Sequence, residues 1–202
     1  MMSTADTTSL PIATSSFGIV DRVFTAADLA ALPEDLPSGR VYYELEMGKL
    51  AIMSPPGESH GYVQSNIGFF LKLQGQHQGL GRAYTETGIV ISRNPDTVYS
   101  ADVAFIGNDR LPVRRSKEGY LETIPELVVE VRSKNNSIAE LSRKARTYLA
   151  AGVLTVWIVD ETSRTITIEE PDAAPKVVGG DEPIPPPAAI PELELTVARV
   201  FD

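Results

Sequence analysis

The chain has 202 residues, 43% hydrophobic and 22% charged, with a formal net charge of −9 and no cysteine. That size and balance suit one ordinary globular domain, and the missing cysteine excludes disulfides, thiolate metal sites and cysteine nucleophiles. The sequence has no apolar run of membrane-spanning length and no basic-then-apolar leader, so a cytoplasmic protein with no membrane partner is expected. The negative total argues against a protein that coats nucleic acid, but the charge is uneven. Residues 160–202 hold ten acids against three bases, whereas residues 110–146 hold nine Lys or Arg against five Glu. Such a distribution is compatible with a focused site for an anionic substrate.

In chain order, residues 1–20 are small and polar and are expected to form a disordered tail ahead of a single domain over 21–202. A short helix capped by Thr25 is predicted over 24–29, ending near Leu32 and Pro33. Segments 41–45 and 49–53 read as a hairpin around Glu46, Met47 and Gly48. A second helix is predicted over 59–76, with Val63, Ile67, Phe70 and Leu71 on one face and His60 at its margin. Strands follow at 83–91, carrying Glu86, and at 98–106, carrying Asp102. A long basic loop, 107–123, leads to the most regular part of the chain.

That part reads as strand, helix, strand. The first strand, 127–131, is apolar except for Glu130. The helix opens on a capping box formed by Ser137 and Glu140 and stops at Gly152. The second strand, 153–159, is almost wholly apolar, as a strand covered on both faces should be. A helix joining two such strands predicts a parallel crossover. A strand over 165–169 should then pair antiparallel with 153–159. The acidic segment 171–191 holds seven of the fifteen prolines and reads as a loop or extended arm, with a last strand or helical turn over 193–201.

Asp102 and Glu130 each stand where an aliphatic residue is expected, on strands that could be neighbours. Side by side, their charges repel unless a cation lies between them, and a hard divalent ion such as Mg²⁺ accepts carboxylate oxygens. The alternative is that each faces solvent or makes an ordinary ion pair. On the intervening helix, Ile138, Leu141, Ala145, Tyr148 and Leu149 form the apolar face, and Lys144 lies at its edge. Its ammonium either reaches a strand carboxylate or simply borders the core.

These residues carry a resemblance. FTAADLAALP at 24–33, YEL at 43–45, GKL at 48–50, MSPP at 53–56, His60 and ETG at 86–88 are followed by ADVAFI at 101–106 and PELVVEV at 125–131. Lys144, YLAAG at 148–152 and VWIVD at 156–160 complete the series. With these motifs the chain resembles the Uma-two family of restriction-endonuclease-like proteins, in the PD-(D/E)XK nuclease superfamily. The resemblance implies an α/β (α+β) fold: a restriction-endonuclease-like mixed β-sheet flanked by helices, with an N-terminal β-hairpin extension. It also implies a Mg²⁺- or Mn²⁺-dependent endonuclease site. Asp102 and Glu130 would be the acids of the motif and ligate the metal with the carbonyl of Val131.

The chain departs from the family pattern twice. Ala101 stands where proline is usual, and Arg132 stands two residues after Glu130 where the motif has lysine. Arginine keeps the charge but cannot act as a base. Lys144 fits the known migration of that lysine to the next helix, so the lysine role is open between the two. Glu44 matches the family's first-strand acid and joins the catalytic candidates, beside its reading as an exposed strand residue. Glu86, His60 and Arg132 are possible accessories. Arg114, Arg115, Lys117 and Lys134 would bind phosphates, or else form a solvated loop. The main expectation is hydrolysis of nucleic acid, DNA first, by a homodimer able to cut both strands. The alternatives are an inactive nuclease fold that binds nucleic acid or protein, and a metal-dependent hydrolase of small phosphates.

Overall fold

The computed structural model describes residues 22–202 apart from Ser38, Ser54 and Asn135, so the tail expected over 1–20 lies outside the described residues. Helix α1 (Ala26–Ala30) begins at a capping box in which the Thr25 and Asp28 side chains each accept a hydrogen bond from the other's backbone N–H. A ribbon of β1 (Asp35–Leu36) and β2 (Gly39–Arg40) precedes the hairpin β3 (Tyr42–Glu46) and β4 (Lys49–Met53). That hairpin turns through Met47 and Gly48, both at positive φ, the backbone geometry a two-residue turn requires. Helix α2 (Glu58–Leu71) runs into a π-helical turn at Lys72–Gln76. Strands β5 (Gly81–Ser92) and β6 (Thr97–Gly107) follow. Next come β7 (Leu127–Val131), α3 (Ile138–Ala150), β8 (Thr155–Asp160) and β9 (Thr165–Glu169).

The β1–β2 ribbon falls where a loop is expected, and a second unexpected element lies near the C-terminus. Within the supposed proline-rich arm, β10 (Lys176–Gly179) pairs antiparallel with β9. The four residues Lys176, Val177, Val178 and Gly179 contain no proline, so every amide in the run is available to a ladder. The chain closes with α4 (Ala198–Phe201), the helical option at its C-terminus.

The main sheet has eight strands in the order β10-β9-β8-β7-β6-β3-β4, with β5 also on β6. β7 and β8 are parallel, as the helical crossover demands, and the other pairs are antiparallel. On one face Val129, Val131, Trp157 and Val159 pack with Val63, Ile67 and Leu71 of α2 and with the C-terminal segment. On the other, Val128, Val156 and Ile158 pack with Leu141, Ala145 and Tyr148 of α3. Both faces are covered, which is why these two strands read as largely apolar runs, interrupted in β7 by Glu130. Each fully buried side chain of this kind contributes roughly 1.5–3 kcal/mol. No helix among the described residues is long and apolar enough to cross a membrane.

The feature that positions the acids lies along β6. One edge of β6 pairs with β5. Its other edge changes partner, pairing with β3 through Leu45 opposite Val98 and with β7 from Val103 opposite Val129 to Phe105 opposite Leu127. Residues 99–102 lie at the hand-over, between these two registers.

Two glycines test the packing. At Gly81 an added Cβ would lie 2.2 Å from the Ile106 carbonyl oxygen and 2.7 Å from the Phe105 ring, whereas at Gly61 in α2 it would meet open space. Gly81→Ala should therefore lower stability by about 1–3 kcal/mol, the usual cost of overpacking. Gly61→Ala should raise it by up to about 1 kcal/mol through helix propensity. Thermal denaturation of the two variants checks both signs.

Candidate active site

The hand-over leaves two backbone amides without a ladder carbonyl, and carboxylates take its place. The Ser100 N–H donates to Glu44 Oε1 at 2.7 Å, and the Val131 N–H donates to Asp102 Oδ2 at 2.6 Å. The acids have thus replaced the carbonyl partners that buried amides need. Lys144 enters from α3, with Nζ 2.8 Å from Glu44 Oε1 and 2.9 Å from Glu130 Oε1. It also donates to the Ser100 carbonyl at 3.4 Å. The Tyr148 hydroxyl donates to Glu130 Oε1 at 2.8 Å. The Lys144 ammonium lies 5.1 Å from the ring centre of Tyr99 and 5.8 Å from that of Tyr148.

From the opposite face, α2 brings His60. Its Nε2 stands 3.1 Å from the Val131 carbonyl oxygen and 3.3 Å from Asp102 Oδ2. Both oxygens are acceptors, so Nε2 carries the proton. Nδ1 is buried with no hydrogen-bond partner among the described residues. Gln64, four residues on, donates to the Asp102 carbonyl at 3.1 Å. Side-chain exposure across the cluster runs from 6% at Glu130 to 16% at Asp102, so it is closed at Glu130 and most accessible at Asp102. A surface cavity of about 520 Å³ lies on another side of α3, lined by residues such as Arg146, Leu149 and Glu169, and holds none of these acids.

The electrostatics follow from burial and from the excess of acid. Glu130 is pushed up to about 8, first by burial and then by Asp102 and Glu44, with Lys144 opposing. Burial would lower Lys144, but the charges of Glu130 and Glu44 outweigh it and hold the ammonium protonated. Burial and the Glu130 charge push Tyr148 far up, so it remains a phenol and a donor. For His60, burial works against the charged form, and the hydrogen bond to Asp102 and its charge prevail, raising the pKa.

The structure therefore brings together Asp102, Glu130, Lys144, Glu44, His60 and the Val131 backbone. It leaves others outside. Glu86 is exposed on β5, at a positive φ of 49°, where the β5–β6 register skips a pair. Arg132 is engaged elsewhere: its guanidinium bonds both Asp160 oxygens at 3.2 Å and the Asn136 carbonyl at 3.0 Å. The cation on the acids is thus Lys144, because Asp160 at the end of the neighbouring strand captures the arginine. Arg114, Arg115, Lys117 and Lys134 are exposed on loops. By its helical spacing Tyr148 belongs only to the apolar face of α3. A tyrosine one turn after Lys144 was the available signal, since a buried phenol needs a polar partner. Among the described residues, no group of three or more His, Cys, Asp or Glu side chains is arranged to hold a metal ion.

Residues 27–198 match the family described as "Uma2: Putative restriction endonuclease". No curated protein matches the chain. Among solved structures, the chain is similar to that of a "putative nuclease belonging to DUF820" from Anabaena variabilis ATCC 29413. The two superpose with a TM-score of 0.72 at 21% identity, covering 88% of this chain and 97% of that one. The likeness establishes a shared fold.

The raised Glu130 carries a pH signature. From 4.5 to about 8, the folded protein keeps a proton that the unfolded chain has released, so stability falls as pH rises through that window. Glu130→Gln has no such proton to lose. In metal-free buffer its melting temperature relative to wild type should climb from pH 5 to pH 8; a constant difference would contradict the assignment.

Proposed function

Because the chain belongs to the Uma2 family of restriction-endonuclease-like proteins, we propose that it is a divalent-metal-dependent endonuclease, with DNA the favoured substrate and Mg²⁺ (or Mn²⁺) the cofactor. The observation that carries this reading is the Lys144 ammonium, 2.9 Å from Glu130, on a strand whose neighbour presents Asp102. Asp102, Glu130 and the Val131 carbonyl would hold the cation. All three are hard oxygen donors, and Mg²⁺ commonly takes only one or two carboxylates, with water and substrate phosphate completing its shell. The lack of a three-side-chain cage is therefore no objection. A cation held by these residues would supply Lewis-acid polarisation of a phosphoryl oxygen and a lowered pKa for water.

The protein's own groups have separable tasks. Lys144 presents a fixed positive charge to the negative charge that develops on the phosphate. Glu44 holds that ammonium in place. His60 donates toward both Asp102 and the Val131 carbonyl, keeping these two oxygens convergent. Arg114, Arg115, Lys117 and Lys134, exposed on their loops, would grip flanking phosphates. A symmetric pair of chains would let two such sites cut both strands of a duplex.

A second reading, a nuclease-fold binding protein without turnover, draws on one observation. Lys144 itself supplies a positive charge to both Glu130 and Glu44. Plasmid nicking with and without Mg²⁺ separates the two readings. Asp102→Asn keeps an acceptor for the Val131 amide, and Lys144→Met keeps the aliphatic stem. Wild type should nick only with metal, and each variant should lose about 100-fold or more, the scale for removing one transition-state contact. Metal binding without cleavage of DNA or RNA would favour the second reading.

A further inference from the structure

Tyr148 is fully buried on α3, and among the described residues its O–H has one polar partner, Oε1 of Glu130, at 2.8 Å. Lys144 reaches the same oxygen at 2.9 Å. An ammonium and a phenol beside a carboxylate both donate, so Oε1 is engaged twice from the helix side. The two donors differ in how firmly they are committed. Lys144 is shared with Glu44 and the Ser100 carbonyl, whereas among the described residues the Tyr148 hydroxyl serves Glu130 alone. The Tyr148 ring cannot swing away, because it stands edge-on to Tyr99, with centroids 5.5 Å apart and planes at 69°. It also packs in one cluster with Leu141, Val128, Val156 and Ile158.

Resting on the metal-dependent reading above, we propose that Tyr148 is a positioning residue for Glu130. Together with Lys144 it pins Oε1 and turns the other oxygen, Oε2, toward Asp102 and the Val131 carbonyl, where the cation would sit. A donor behind a metal ligand fixes its orientation, and losing such a donor typically weakens metal binding about 10–100-fold. Tyr148→Phe removes the hydroxyl and keeps the ring.

The test measures Mn²⁺ binding to the full chain by titration calorimetry or electron paramagnetic resonance, alongside metal-free melting curves. Wild type should bind Mn²⁺, and Tyr148→Phe should bind about 10–100-fold more weakly. Val156→Ala, a packing loss on the same face, should melt earlier yet keep its Mn²⁺ affinity within about two-fold, because it removes no donor from Glu130. Should the phenylalanine variant not fold, Tyr148→Met, which fills the site flexibly and also lacks a donor, should show the same loss. Wild-type affinity in a folded donorless variant would overturn the role of Tyr148 and leave the metal-dependent reading standing. An equal loss in Val156→Ala would also overturn it, by making the effect one of packing. No Mn²⁺ binding by wild type would overturn both the inference and the reading beneath it.

Discussion

The exchange of partners along β6 is the constraint from which the rest of the site follows. At the hand-over from β3 to β7, the Ser100 and Val131 amides face carboxylates. A buried donor left unpaired costs about 1–3 kcal/mol, so some acceptor must be supplied there. Carboxylates meet the need, but they bring negative charge into a half-dry interior. That charge in turn calls for Lys144. The lysine can answer because the βαβ crossover lays α3 across this face of the sheet, and its ammonium lies beside the rings of Tyr99 and Tyr148.

The fold alone does not require so much acid. Glu44, Asp102 and Glu130 stand against Lys144 and a histidine, and a buried ion pair is often no more stable than an apolar replacement of the same shape. Burial first, and the surplus acid after it, raises Glu130. The groups that close the sheet are then the groups to which the proposed function assigns the chemistry. This overlap also means that removing one charged partner disturbs structure, at about 3–5 kcal/mol when the remaining charge is stranded. Isosteric changes such as Asp102→Asn are therefore more informative than truncations.

Much of this was legible in the sequence where the signals are local. The cap at Thr25, the capping box at Ser137, the stop at Gly152 and the largely apolar runs of β7 and β8 predicted α1, α3 and the parallel crossover. The helical period placed Lys144 at the edge of the buried face. What escaped depends on pairings between distant residues. Nothing near Arg132 shows that Asp160, 28 residues later, will draw its guanidinium away. His60 reads as a helix-margin histidine until α2 is docked beside the end of β7. Proline density around β10 hid a four-residue strand that its pairing with β9 makes possible. The partner exchange on β6 has no periodic signature either, because each half of the strand is apolar for its own neighbour.

The most direct measurement is the anomalous diffraction of crystals soaked in Mn²⁺. The expected result is one strong peak bounded by the carboxylates of Asp102 and Glu130 and by the Val131 carbonyl oxygen, with Lys144 still facing the site from α3. No peak there at saturating Mn²⁺, with the Lys144–Glu130 ion pair intact, would contradict the assignment of these residues as a metal centre.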